Sequence, residues 1–146
     1  METKLKRVHT ASDLAISAAV LCAGAGLYFL NNYLGIFLGI CAVAMLVFWK
    51  SAFKADGHGP VLKKKTVDIA QPHRLPVLEF LSGKDVEPVL DAPAAGNSSL
   101  LEVYYNKPNM VAYAQLFDFS NYTYEKATEL VELHAARAEK LISQLK

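Results

Sequence analysis

The sequence predicts a membrane protein: an N-terminal two-helix transmembrane hairpin, then a small α+β domain in which an antiparallel β-hairpin or small sheet is covered by a long C-terminal helix. Three observations lead there. Residues 14–49 carry no charged side chain, basic residues gather on both flanks of that run, and the last third passes from β-type residues to a helical period.

The apolar run is too long for one crossing. A straight helix from Ala11 to Trp49 measures about 58 Å at ~1.5 Å per residue, roughly twice the ~30 Å hydrocarbon core. Split at Asn31-Asn32, it yields two segments, 11–30 and 33–52, each near the ~20 residues a crossing needs. Asparagine accepts turn conformations and its amide satisfies helix-end groups, so a tight reversal at 31–32 is expected. Tyr28 and Tyr33 beside the turn, and Trp49 at the other end, suit the membrane interfaces.

Small residues recur at four-residue spacing. Ala15, Ala19 and Ala23, or Ala18, Cys22 and Gly26, mark faces of the first helix, and Gly35 and Gly39 a face of the second. Such faces let helix backbones approach closely, on each other or on a second copy. Lys4, Lys6 and Arg7 precede the first helix, Lys50 and Lys54 follow the second, and the turn has no positive charge. The positive-inside rule therefore places both termini in the cytoplasm, with a bacterial inner membrane as the expected location. No ionisable side chain sits at mid-depth, which argues against an ion path made by this chain alone.

Charge divides the chain. Residues 1–65 hold eight basic and three acidic side chains, residues 66–146 seven and eleven. A nucleic-acid-binding domain would concentrate its cations on the folded part, so nucleic acid is not an expected partner. The interfacial or headgroup candidates are Lys4, Lys6, Arg7, Trp49, Lys50, Lys54, Lys63, Lys64 and Lys65. Both cysteines, Cys22 and Cys41, lie in the apolar run, which leaves no disulfide framework and no cysteine metal site. The triplets Asn97-Ser98-Ser99 and Asn121-Tyr122-Thr123 have the glycosylation pattern, which matters only on a secretory face.

Four stretches are therefore expected: a basic N-terminus at 1–10, the helical hairpin at 11–52, a basic hinge at 53–66 broken by Gly57, Gly59 and Pro60, and an α+β domain at 67–146. In that domain PVLEFLSG reads as helix or strand, and residues 85–99 as mostly loop. LLEVYYNKPNMVAYAQLFDFS holds two β-rich runs around NKPN and predicts a hairpin over 100–119. Thr123 as an N-cap and a stripe of Ala127, Leu130, Val131, His134, Ala138, Leu141, Ile142 and Leu145 predict a helix over 123–144.

Motifs for chemistry are missing. There is no phosphate-cradling loop, nucleophile elbow, His-x-x-x-His pair or Cys-x-x-Cys, so no catalytic residue, cofactor or metal is assigned. Tyr105, Tyr113, Phe117 and Phe119 are the candidate partner surface. The expected function is a two-pass membrane protein whose cytosolic domain binds another protein or self-associates, as adaptor, assembly factor or accessory subunit. The alternative is a ligand-sensing effector that perturbs the membrane when a small molecule binds the domain.

Overall fold

The computed structural model describes residues 2–90 and 99–145. Residues 91–98, with about half of the expected loop and the first two residues of the Asn97 triplet, lie outside the described residues. The chain forms two compact units, Leu5–Gly57 and the residues from His58 onward together with those before Leu5.

The Leu5–Gly57 unit is a pair of apolar helices inserted between two paired strands. Strand β1 (Leu5–Val8) runs antiparallel to β2 (Ala52–Ala55), with Leu5 opposite Ala55 and Val8 opposite Ala52. Between them lie α1 (Ala11–Tyr28) and α2 (Asn32–Phe48). A capping box starts α1: the Asp13 amide donates to Thr10 Oγ1 (3.1 Å) and the Thr10 amide to Asp13 Oδ2 (3.0 Å). Asn31 starts α2 by accepting from the amides of Tyr33 and Leu34 through its side chain.

The helices touch through glycine. A Cβ on Gly24 would stand 3.2 Å from both the Gly35 carbonyl oxygen and the Gly39 nitrogen, and one on Gly35 would stand 2.5 Å from Tyr28 Cα. The buried positions are Asp13, Ser17 and Gly24 on α1 and Gly35 and Ala42 on α2.

In the second unit β3 (His58–Ile69), β4 (Ser99–Asn106) and β5 (Val111–Ser120) form an antiparallel meander. The far edge of β5 is paired twice, by β6 (Thr123–Lys126) and by β7 (Val131–His134). Thr128 bridges the gap, its hydroxyl accepting from the Leu116 amide (3.1 Å) and its carbonyl from Gln115 Nε2 (3.0 Å). Helices α3 (Gln71–Leu81) and α4 (Ala135–Gln144) contribute Val77, Phe80, Leu81, Ala138, Leu141 and Ile142 to a core shared with Leu101, Val103, Ala114, Leu116 and Leu133 of the strands. Arg137 fastens α4 to α3: its guanidinium donates to the Phe80 carbonyl and lies 5.2 Å from the Phe80 ring centroid.

This architecture corrects the fold class read from the sequence. The described residues hold seven strands and four helices, not one β-hairpin beneath a long helix. Residues 123–126 and 131–134 are strand because β5 offers an open edge and the β7 pairing buries Leu133 opposite Ala112; Ala135, in a left-handed conformation at φ 48°, ends β7. The two-span hairpin is corrected too. Among the described residues only Ala11–Tyr28 has the length and composition of a candidate span, and that is weak evidence, while Asn32–Phe48 has 17 residues. The reason lies at the helix ends, where residues 52–55 pair with β1 and Asn31 leaves helical conformation to cap α2. The segment read as a hinge, 53–66, holds most of β2, the Asp56-Gly57 turn and much of β3.

The glycine contact gives a paired test. Gly35→Ala forces the helices apart and lowers stability by about 1–3 kcal/mol, as overpacking does. Gly26→Ala, with nothing within 4 Å of the new methyl, is neutral or stabilising by up to about 1 kcal/mol. Thermal melts of the two full-length variants check the contrast.

Candidate functional site

Polar groups in the helical unit collect at one end. Asp13 is 4% exposed and closes a network there: the Ser51 amide donates to Asp13 Oδ2 (3.1 Å), and the Ser51 hydroxyl donates to the same carboxylate (2.7 Å to Oδ2). Ser17 Oγ donates to the Asp13 carbonyl at 2.8 Å. His9 Nδ1 donates to the Trp49 carbonyl at 2.9 Å. The entry of α1 and the exit of α2 are thus tied across about forty residues of chain, and the buried carboxylate has its partners in place.

Elsewhere the pair is apolar and exposed. Phe29, Leu30, Tyr33 and Phe48 are each at least 80% exposed, and Ile36, Phe37, Ile40, Val43 and Val47 more than half. Only 17% of the 18-residue α1 window is buried, where a core helix of a globular domain would be mostly buried. Of the expected packing residues, Gly35 is buried against Tyr28 and Gly39 is half-buried, whereas Ala15, Ala19, Ala23 and Gly26 face outward. The headgroup candidates Lys6, Arg7, Trp49 and Lys50 are exposed and Lys54 half-exposed around the strand ladder. Arg7 lies 5.7 Å from the Phe53 ring centroid, its cross-strand neighbour.

In the second unit a cleft of about 470 Å³ is lined by Gln71, Arg74, Ser99, Asp118 and Phe119. Arg74 clasps Asp118 through two bonds, Nε to Oδ1 (2.8 Å) and Nη2 to Oδ2 (2.5 Å), and Ser99 Oγ adds a third to Oδ1 (2.7 Å). The Arg74 hydrogen bond, with a smaller contribution from Ser99, holds the Asp118 carboxyl below its usual range. A charged ligand entering the cleft must compete with this bidentate pair. Ser99 donates to a carboxylate already held by arginine, and no histidine bonds either group, so no activated nucleophile results. Among the described residues no group of three His, Cys, Asp or Glu side chains is placed to hold a metal.

The sheet face away from α3 and α4 carries a polar row. Lys64, Tyr104, Tyr113 and Glu132 are successive cross-strand neighbours. Lys64 Nζ reaches Glu102 Oε1 at 2.7 Å, Tyr104 donates to Glu102 Oε2 at 3.0 Å, and Tyr113 donates to Glu132 Oε1 at 2.9 Å. Burial and the Glu102 carboxylate push the Tyr104 phenol up. Lys64 is thus engaged with a carboxylate, Lys63 is exposed, and Lys65 is half-buried opposite Val103. Lys4 is exposed.

Of the expected partner surface, Tyr105 packs against the core, Tyr113 is 7% exposed and Phe117 half-buried. Phe119 remains outside, 38% exposed, with its ring edge-on to Tyr124 at 5.2 Å. Beside it is Tyr122, which with Tyr104, Tyr105, Tyr113 and Tyr124 is one of the tyrosines that could line a ligand groove or a partner surface. It is 98% exposed and, with Asn121, turns β5 into β6 at positive φ (49° and 62°). Such two-residue turns favour Asn-Gly, so a tyrosine held left-handed is an outlier of the kind that clusters at functional positions. The Asn-Tyr pair between β-rich runs was the one sequence signal for it. The Thr10-x-x-Asp13 capping pattern is a local signal that went unread, and nothing local announced Ser51 or the Arg74–Asp118 pair.

Compared with protein-family models, curated proteins and solved structures, the chain matches none.

Because its folded-state pKa is depressed, Asp118 contributes stability that is full above the unfolded value of about 3.9 and lost as pH falls through the folded value. Asp118→Asn is therefore less stable than the native chain at pH 7, and the gap narrows below about pH 4. Melting temperature against pH for the two proteins measures this.

Proposed function

We propose that the chain is a membrane protein whose helical unit seats its apolar surface in the bilayer with both flanks on the cytoplasmic side, and that the unit from His58 onward binds another protein there. The apolar girdle of the helical pair carries this reading. Nearly all its side chains are apolar and exposed, while its one carboxylate is buried at the end where the chain enters and leaves. Water disfavours that surface by about 25 cal/mol per Å², and hydrocarbon does not.

The paired β1 and β2 bring both ends of the helical pair to one side, where the cations also are. A cleaved signal sequence fits poorly. Removing α1 with the residues before it strips β2 of β1, and Ser51 of Asp13. For the protein-binding role the support is the exposed aromatic corner of Phe119, Tyr122 and Tyr124, where β5 turns into the edge strand β6. An edge with free backbone groups and projecting aromatics suits a protein partner.

Two experiments test the reading. Cys22 and Cys41 are the only thiols; in intact membranes a bilayer-impermeant maleimide leaves both unlabelled, and Cys22, exposed on α1, reacts once the membrane is dissolved in denaturant. Full labelling of intact membranes removes the bilayer placement. Tyr122→Gly relieves the left-handed tyrosine, leaving stability equal or higher by up to about 1 kcal/mol, yet it diminishes the complex that the detergent-solubilised native chain forms. Retention of that complex by the variant, in cross-linking and particle-size measurements, counts against the aromatic corner.

A further inference from the structure

The register of β1 with β2 sets Lys6 directly opposite Lys54. Directly opposed like charges on an antiparallel pair repel and weaken the ladder. Neither lysine has a carboxylate within ion-pair distance among the described residues, and neither do Arg7 and Lys50. In the other unit four cations do have a carboxylate partner: Lys64 with Glu102, Arg74 with Asp118, Lys84 with Glu79 and Lys140 with Asp85. In the helical unit the Asp13 carboxylate is turned inward and used by Thr10 and Ser51. Lys6, Arg7 and Lys54 on this short ladder, with Lys50 just before it, outnumber the unit's other carboxylate, Asp56 in the turn after β2, and that excess of positive charge suits an external anion.

We propose that this ladder binds the phosphate of anionic phospholipids, with Lys6 and Lys54 as a cross-strand pair that grips one headgroup and Lys50 and Arg7 widening the field. The proposal rests on the bilayer reading above and adds a ligand to it. Its position selects a lipid over a free phosphate. Lys50 stands two residues past the end of α2, and Lys6 and Lys54 a few strand residues further out, within lysine reach of the headgroup layer. Held by β1–β2 pairing, the two ammonium groups are spaced before the lipid arrives, which lowers the entropy lost on binding. Each lysine near an anionic surface favours binding roughly fivefold.

The native reporter is Trp49, the single tryptophan, 42% exposed beside Lys50. The full chain is reconstituted in bilayers containing brominated phosphatidylglycerol or brominated phosphatidylcholine, and quenching of Trp49 is followed as each lipid is varied. The expected result is a preference for the anionic lipid of roughly fivefold or more, reduced toward unity in Lys6→Gln/Lys54→Gln, kept in Lys6→Arg/Lys54→Arg, and not displaced by millimolar glycerol phosphate. Equal quenching by the two lipids, or an undiminished preference in the glutamine variant, overturns the site. Displacement by glycerol phosphate overturns the lipid assignment. Quenching by neither lipid overturns the bilayer placement and the proposal with it. Should the double variant fold poorly, Lys54→Gln alone decides: in neutral detergent it melts higher than the native chain, because the repulsion is gone, and it gains less from added phosphatidylglycerol. A melting temperature lowered in neutral detergent, or an equal gain from the anionic lipid, counts against the paired-cation site.

Discussion

The Asp13 carboxylate is the contact on which the N-terminal architecture depends. Its oxygens accept from the Thr10 amide, the Ser51 amide and the Ser51 hydroxyl, so one buried anion caps α1 and holds the chain leaving α2. A buried carboxylate is costly unless its lone pairs are used, and here they are. Removing it leaves backbone donors on two segments without partners at once. With the two ends joined there, β1 and β2 pair beside them, and the glycine contact between Gly24 and Gly35 needs only to keep the helices close along their length.

The second unit solves a different problem. Its sheet has helices on one face, and α3 and α4 are held together by Arg137 over Phe80 rather than by length of contact. The far edge of β5 is closed by two short strands in line, with Thr128 filling the interruption. Short, interrupted and charged edge strands resist unintended pairing, and Glu125, Lys126, Glu129 and Glu132 lie along this one. The aromatic corner at Tyr122 stands out against that background because it leaves a sticky group at a place otherwise defended.

Parts of this were legible from residues alone. The hairpin around NKPN follows from two β-rich runs and a turn, and β4 and β5 pair as those runs suggest. In the last third the stripe Ala138, Leu141, Ile142 and Leu145 does lie on the buried face of α4. Extending that stripe back to Ala127 went astray because Val131 and Leu133 satisfy a strand alternation just as well, and periodicity over four residues cannot choose between them. Among the small residues of α1, spacing four apart picked Ala15, Ala19 and Ala23, whereas contact falls on Ser17 and Gly24, a seven-residue spacing that only a partner helix selects.

By itself the sequence determined the properties that reside in near neighbours or in composition: the uncharged run and its basic flanks, the helix-end role of Asn31, the turn at NKPN and the missing catalytic motifs. Only tertiary structure decided that residues 123–126 and 131–134 are strand, that Arg74 meets Asp118, that Asp13 reaches Ser51 and that Lys6 faces Lys54. The reason is physical. Helix caps and turns are set by interactions over three or four residues, while an open strand edge, a buried carboxylate or a cross-strand lysine pair acquires its neighbour from chain about forty residues away. Which segment arrives there is settled by the packing of the whole unit, and no local pattern records it.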